Sequence, residues 1–144
     1  MYCREIMKQK VFSLSGNMSV NDAARKMKTE QISILPICDA QGRLVGVVTD
    51  RDIVLRACAE SLDGDVTPVE QIMSNELVRC SPDATLEHAE KLMLRHHTRR
   101  IMLTDAENKL VGLITLTDIA QHQSLLESGR WLRDLSAWRY RVER

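Results

Sequence analysis

Two Thr-x-x-Asp clusters are the parts of this chain whose residue types and spacing best suit chemistry: Thr49-Asp50-Arg51-Asp52 and Thr115-Leu116-Thr117-Asp118. Each follows an apolar run with a glycine at its centre, Leu44-Val45-Gly46-Val47-Val48 and Leu110-Val111-Gly112-Leu113-Ile114. A Thr that ends a strand and an Asp in the first turn of the next helix lie at a helix N-terminus, where free N–H groups and the positive dipole end suit a phosphate. The hydroxyl can donate to a phosphate or ribose oxygen, and the carboxylate offers two acceptors to the vicinal hydroxyls of a ribose. Gly46 and Gly112 remove a side chain where backbone or a ligand must come close. The same spacing also makes a helix cap, which needs no ligand. Both readings can hold together, since a cap can face a pocket.

The elements that position these clusters occur twice. The segment from Ile6-Met7 to Asp52-Ile53 returns without a gap as Ile72-Met73 to Asp118-Ile119, a tandem duplication of one supersecondary unit. Each copy begins with a short strand, Val11 to Leu14 or Leu77 to Cys80, followed by turn residues. A helix capped by Ser19 or Thr85 comes next, with apolar stripes Val20, Ala23, Ala24, Met27 and Leu86, Ala89, Leu92, Met93. Then come two strands, Ile32 to Ile37 with Leu44–Val48, and Thr98 to Leu103 with Leu110–Ile114, the second of each pair reading as covered on both faces. A closing helix begins near Asp50 or Leu116. Thr67-Pro68-Val69-Glu70 predicts a helix start with Thr67 as cap, opening the second copy through Met73. Arg4 to Met7 is expected to do the same for the first.

The boundaries read as repeat one over 1–60, linker over 61–66, repeat two over 67–122 and a helical tail over 123–144. The fold class is α/β (α+β): two β-α-β-β-α units packed sheet to sheet with pseudo-two-fold symmetry, because one unit alone is too small for a secure core. The tail places Trp131, Leu135, Trp138 and Val142 on one helical stripe, with Arg130, Arg133, Arg139, Arg141 and Arg144 supplying most of its charge, diluted by Asp134 and Glu143. Self or dimer packing ranks first for it, a protein partner next and a membrane surface last.

Bulk properties exclude several classes. Lysines plus arginines equal aspartates plus glutamates, 20 against 20, which argues against a nucleic-acid coat. No apolar run approaches the roughly 18 residues of a membrane span. The polar opening residues suggest no leader, and the expected location is the cytoplasm. Cys3, Cys38, Cys58 and Cys80 have no metal-binding spacing and read as small buried or half-buried thiols in a reducing compartment. His96 and His97 adjoin at a helix end and point apart, so they read as a cationic last turn. No nucleotide loop motif and no evident catalytic set is present.

Gly-h-h-Thr-x-x-Asp-h (h, apolar), twice in tandem as Gly46 to Ile53 and Gly112 to Ile119, resembles the cystathionine-β-synthase (CBS) domain, over about residues 4 to 122. The pair is similar to a Bateman module of the stand-alone bacterial type. The resemblance implies a tendency to dimerise and binding of an adenosine compound (AMP, ADP, ATP, NAD or S-adenosylmethionine) in clefts between the repeats. It implies a regulatory sensor and no enzyme, with no required cofactor and an adenine nucleotide as regulatory ligand. Ribose and phosphate contacts are then expected from Thr49, Asp52, Thr115 and Asp118, with Arg51, Arg99 and Arg100 as phosphate-binding cations. The family position of the base implies Val11, Phe12, Leu35 and Pro36 in one copy, and Leu77, Val78, Ile101 and Met102 in the other. Plain core packing is the competing reading for each of these. Pro36 in a strand marks an edge or cleft-facing position, and Met102 departs from the family's proline there. Asp50, beside Thr49, is expected to make the first cleft prefer few phosphates. The expected partners are an adenosine-type small molecule, a second copy in a homodimer, and a possible protein partner through 123–144; no nucleic acid and no membrane. The competing function is a dimerisation scaffold without a ligand that binds a protein partner through the Trp-containing tail.

Overall fold

The computed structural model describes residues 1–142, with side chains through residue 137. It contains six strands and five α-helices: β1 Leu14–Ser15, α1 Val20–Glu30, β2 Ile34–Cys38, β3 Leu44–Thr49, α2 Asp50–Asp52, β4 Arg79–Cys80, α3 Leu86–Arg95, β5 Arg100–Thr104, β6 Leu110–Thr115, α4 Leu116–Ala120 and α5 Leu125–Val142. The strands form two three-stranded sheets, ordered β1-β2-β3 and β4-β5-β6. β1 lies parallel to β2, and β2 antiparallel to β3 with Leu35 opposite Val48 and Pro36 opposite Val47.

Local chemistry sets the element ends. Ser19 Oγ accepts from the Asp22 N–H at 3.0 Å while Asp22 Oδ2 accepts from the Ser19 N–H at 3.0 Å, a complete capping box. Thr85 Oγ1 accepts from the His88 N–H at 3.2 Å. α1 stops at Gln31 and α3 just before His97, two equivalent residues with φ of 56° and 53°. The second histidine of the His96-His97 pair is thus a left-handed helix terminator. Thr67 does not cap its helix. The 3-10 turn Val69–Gln71 takes Pro68 as its N-cap residue with no side-chain bond, and Thr67 is buried instead. α2 continues as a π-helix, Ile53–Cys58, in which the Ala59 N–H reaches back to the Val54 carbonyl at 2.9 Å.

The chain divides into two compact units, and their membership differs from the sequence repeats. One unit joins Met1–Val11 to Val78–Ala106 and Val111–Arg144; the other is Phe12–Leu77 with Glu107–Leu110. The short helix Cys3–Glu5, expected to open repeat one, therefore packs with repeat two, and Val69–Gln71 packs with repeat one. The hydrogen bonds of the two attachments correspond one for one. Cys3 N–H donates to the Ala84 carbonyl (2.9 Å) as Val69 does to Met18 (2.7 Å), and Arg4 to Pro82 (2.9 Å) as Glu70 does to Gly16 (3.0 Å). Beyond each turn the segment runs along the last strand: Lys8 exchanges two backbone bonds with Leu113, and Ser74 two with Val47.

Each unit has its own core. Val20, Ala23, Met27, Leu35, Ile37, Val48, Ala57, Val69 and Ile72 fill one; Cys3, Leu86, Ala89, Met93, Ile101, Leu103, Ile114, Ile119, Trp131 and Leu135 fill the other. Burying one such aliphatic side chain stabilises the fold by about 1.5–3 kcal/mol. β2 and β5 are covered on both faces along their centres. β3 is not, because Val45 on its outer face is exposed. Trp131 and Leu135 show that the tail folds back on its own unit. The side chains of Trp138, Arg139, Arg141 and Val142, together with Glu143 and Arg144, lie outside the described residues.

Candidate functional site

Both Thr-x-x-Asp clusters sit where strand turns into helix, and both fold into closed boxes. Thr49 is extended and Asp50 starts the helix, so the Asp52 N–H points back to Thr49 Oγ1 at 3.2 Å. Asp52 Oδ2 accepts twice, from the Thr49 N–H at 2.9 Å and the Thr49 hydroxyl at 3.0 Å. In the second copy Asp118 Oδ2 accepts from the Thr115 N–H at 2.8 Å and the hydroxyl at 2.6 Å, while the Asp118 N–H donates to Thr115 Oγ1 at 3.3 Å. The threonine proton is thus already given to the neighbouring carboxylate. The box offers acceptors outward rather than a hydroxyl donor.

One carboxylate oxygen of each box remains, and a cation faces it. Asp118 Oδ1 lies 3.1 Å from Lys8 Nζ. Asp52 Oδ1 lies 3.8 Å from Arg56 Nε, whose guanidinium also donates to the Ile72 and Met73 carbonyls at 3.1 and 3.4 Å. The carboxylates are sheltered, with side-chain exposures of 18% and 11%, whereas Arg56 and Lys8 are 53% and 59% exposed. Burial works to raise the pKa of Asp118, but the hydrogen bonds from Thr115 and Lys8 outweigh it, and the carboxyl lies below its ordinary value. Neither cation belongs to the sequence-derived set. Arg56 could have been found, since it stands one helical turn beyond Asp52. Lys8 gives no such signal, because only the exchange of leading segments brings it to Asp118. The repeat alignment pairs Lys8 with Ser74 and Arg56 with His122, whose Nδ1 donates to the Asp118 carbonyl at 2.8 Å. The two copies therefore draw their cation from different elements.

The glycines serve packing. A Cβ on Gly46 would lie 2.3 Å from Met73 Sδ, and one on Gly112 2.7 Å from Met7 Sδ. In both copies the close approach comes from a methionine of the attached leading segment.

The remaining expected residues separate. Leu35 and Ile101 are fully buried and belong to the two cores, so their side chains are spent on packing. Pro36 and Met102 are also buried, but they alternate with core residues and so occupy the other face of their strands. β2 is the central strand, so Pro36 does not mark an edge. It is tolerated because β1 pairs only from Leu14 opposite Ile37, whereas Met102 has an N–H and donates it to the Val78 carbonyl at 3.1 Å. Val11, Phe12, Leu77 and Val78 are half-buried and precede β1 and β4 rather than forming them. Lys26 Nζ stands 4.7 Å over the Phe12 ring. Arg51 is exposed and, with Asp50, Val54 and Leu55, lines an open hollow of about 290 Å³ that does not include Thr49 or Asp52. Arg99 is exposed, and its carbonyl accepts from the Leu116 N–H at 2.9 Å, which places its backbone at the Thr115 corner. Arg100 is half-buried on β5. Among the described residues, no group of three or more His, Cys, Asp or Glu could hold a metal ion, and no helix is long and apolar enough to cross a membrane.

Residues 3–57 and 69–124 each match the CBS domain. This chain belongs to the CBS domain family. It is 41% identical over 125 residues to the CBS domain-containing protein YhcV of Bacillus subtilis, covering 87% of each chain. It is 32% identical to hypoxic response protein 1 of Mycobacterium tuberculosis, over 83% of this chain and 82% of that one. Among solved structures, the CBS domain pair of protein MJ0100, in complex with 5'-methylthioadenosine and S-adenosyl-L-methionine, superimposes with a TM-score of 0.75 at 26% identity, covering 84% of this chain and 98% of that chain.

Proposed function

We propose that this CBS-domain chain is a non-enzymatic regulatory module of the cytoplasm that binds an adenosine-containing ligand and reports it by favouring one arrangement of itself or of its homodimer. The observation that carries the reading is the second carboxylate oxygen of each box, sheltered and faced by an exposed cation. A sheltered acceptor suits a ribose hydroxyl, and a cation released from it suits an anionic group on the same ligand. The adenosine compounds bound by the MJ0100 pair support the same class. On this reading Thr49, Asp52, Thr115 and Asp118 bind the ribose, with Lys8 and Arg56 beside them. Arg51, Arg99 and Arg100 are secondary cations. Pro36, Met102, Val11, Phe12, Leu77 and Val78 neighbour the base, and Leu35 contributes backbone alone. The ligand acts only through a difference in affinity between two arrangements.

A thermal-shift series with AMP, ADP, ATP, NAD, S-adenosylmethionine and 5'-methylthioadenosine tests this. A compound at about 100 times its dissociation constant adds roughly 2.7 kcal/mol, several degrees of melting temperature. Asp52→Ala with Asp118→Ala is expected to abolish that gain in a chain that still folds. No shift with any compound sinks the reading. A dimerisation scaffold is the second reading, favoured by Leu125, Leu126 and Leu132, which are 95%, 68% and 52% exposed on the tail helix. It expects concentration-dependent association that Leu125→Ser with Leu132→Ser removes, without any ligand response.

A further inference from the structure

The two units differ at one buried contact. Where the leading segment meets the first strand, the Phe12–Leu77 unit packs Val69 with Leu14 among its apolar side chains. The repeat alignment puts Cys3 and Cys80 at those positions in the other unit, and the two side chains pack in its core. The backbone bond from Arg4 to Pro82, one residue beyond Cys3 and two beyond Cys80, keeps the two cysteines neighbours in that core. The backbone around them is pinned: Cys3 N–H to the Ala84 carbonyl and Arg4 N–H to the Pro82 carbonyl, both at 2.9 Å, with Cys3 Sγ 3.7 Å from the Thr85 carbonyl. Two cysteines set side by side on fixed backbone are candidates for a disulfide.

We infer that Cys3 and Cys80 are a disulfide-forming pair that staples the Met1–Val11 segment to β4 when the chain meets a small-molecule disulfide. The Cys80 thiol lowers the Cys3 pKa against the opposing effect of burial, which suits Cys3 to the second attack, while Cys3 together with burial pushes the Cys80 thiol well above its ordinary value and slows the first. Cys80 is half-buried and Cys3 fully buried, so attack begins at Cys80. Its sulfur displaces one thiolate from a disulfide such as oxidised glutathione, and its proton goes to that leaving thiolate. The Cys3 sulfur then attacks the Cys80 sulfur and expels the second thiolate, which takes the Cys3 proton. Two cysteine thiols are oxidised and one disulfide is reduced to two thiols. The stapled segment is the one that carries Lys8 to Asp118 and pairs it with Leu113, so oxidation fixes that cation in place.

The full chain, reduced and then exposed to oxidised glutathione under native conditions, is alkylated after denaturation and mapped by mass spectrometry. A peptide cross-linked through Cys3 and Cys80, two hydrogens lighter, is expected, with Cys38 and Cys58 outside any internal disulfide. The oxidised chain should melt several degrees higher and show slower amide exchange at Lys8 and Leu113. Cys3→Val and Cys80→Leu, the residues the chain itself uses in its other unit, should fold and lose both responses. Complete alkylation of Cys3 and Cys80, or a lasting glutathione adduct on Cys80 without a cross-link, overturns the pair. A cross-link without added protection at Lys8 and Leu113 overturns the clamp. The measurement on the unsubstituted chain stands whether or not the variants fold.

Discussion

Gly46→Ala is a sharp test of the assignment of that glycine to packing rather than to ligand approach. An alanine in a strand loses less backbone entropy on folding than glycine, a gain of about 0.5–1 kcal/mol. Against it, the new Cβ would lie 2.3 Å from Met73 Sδ, 2.9 Å from its Cγ and 3.1 Å from its Cε. Carbon contacts are comfortable near 3.5–4.0 Å, so the whole side chain must move. Overpacking of this kind costs about 1–3 kcal/mol, and the flexible thioether keeps it toward the lower half. The net loss is then about 0–1.5 kcal/mol, or up to roughly 6 °C in melting temperature for a chain of this size. Chemical denaturation of Gly46→Ala, Met73→Ala and the double variant closes a cycle. The double variant should be less destabilised than the sum of the singles by about 1–2 kcal/mol, because the shortened residue 73 leaves room for the new methyl. Strictly additive effects refute the packing assignment.

Four further outcomes are expected. Asp118 has its pKa lowered on folding, so its contribution to stability is whole above its unfolded value near 3.9 and is lost as pH falls through the lower folded value; the melting-temperature gap between the parent and Asp118→Asn should close over that acid range. Thr49→Val keeps the shape but removes the cap oxygen, and equilibrium unfolding should show a loss of about 1 kcal/mol. Trp131 is buried with no partner for its indole N–H among the described residues. Trp131→Ala should therefore cost about 3–5 kcal/mol in denaturant, while Trp131→Phe, which removes that N–H, should cost much less. If Lys8, released from Asp118, pairs with a ligand's anionic group, Lys8→Ala should weaken an anionic adenine nucleotide more than adenosine in isothermal titration.

Much of this architecture is legible in residue order. The capping serine at Ser19, the turn at Asp39 to Gly42 and the paired strands carry local signals, and the model returns them within a residue or two. Asp39, for example, accepts from the Gln41 and Arg43 N–H groups at 2.9 Å and closes its own turn. What was not legible depends on through-space choices. A perfect tandem period cannot distinguish a leading segment that stays with its own copy from one that crosses to the other, since both give the same periodicity. That choice decides the partners of Met7, Lys8, Met73 and Cys3. Of the two readings of Pro36, edge or cleft-facing position, the edge fails for a related reason: β1 is so short that the central strand leaves the stretch before Ile37 unpaired on that side. The capping positions of Thr49 and Thr115 at the strand-to-helix corners were legible, whereas the direction of the threonine proton was not.

The crossing of the leading segments also sets the order in which a nascent chain can mature. Emerging from the ribosome N-terminus first, Phe12 to Leu77 can close around Val69 and Met73 soon after translation passes them, apart from the later Glu107–Leu110 turn. Met1–Val11 has nothing to dock on until α3, β5 and β6 exist, so Cys3, Ile6 and Met7 stay solvated through most of synthesis. A gene cut in the 61–66 linker would strip the early half of its closing residues, whereas a cut after Leu77 would leave it whole but for Glu107–Leu110.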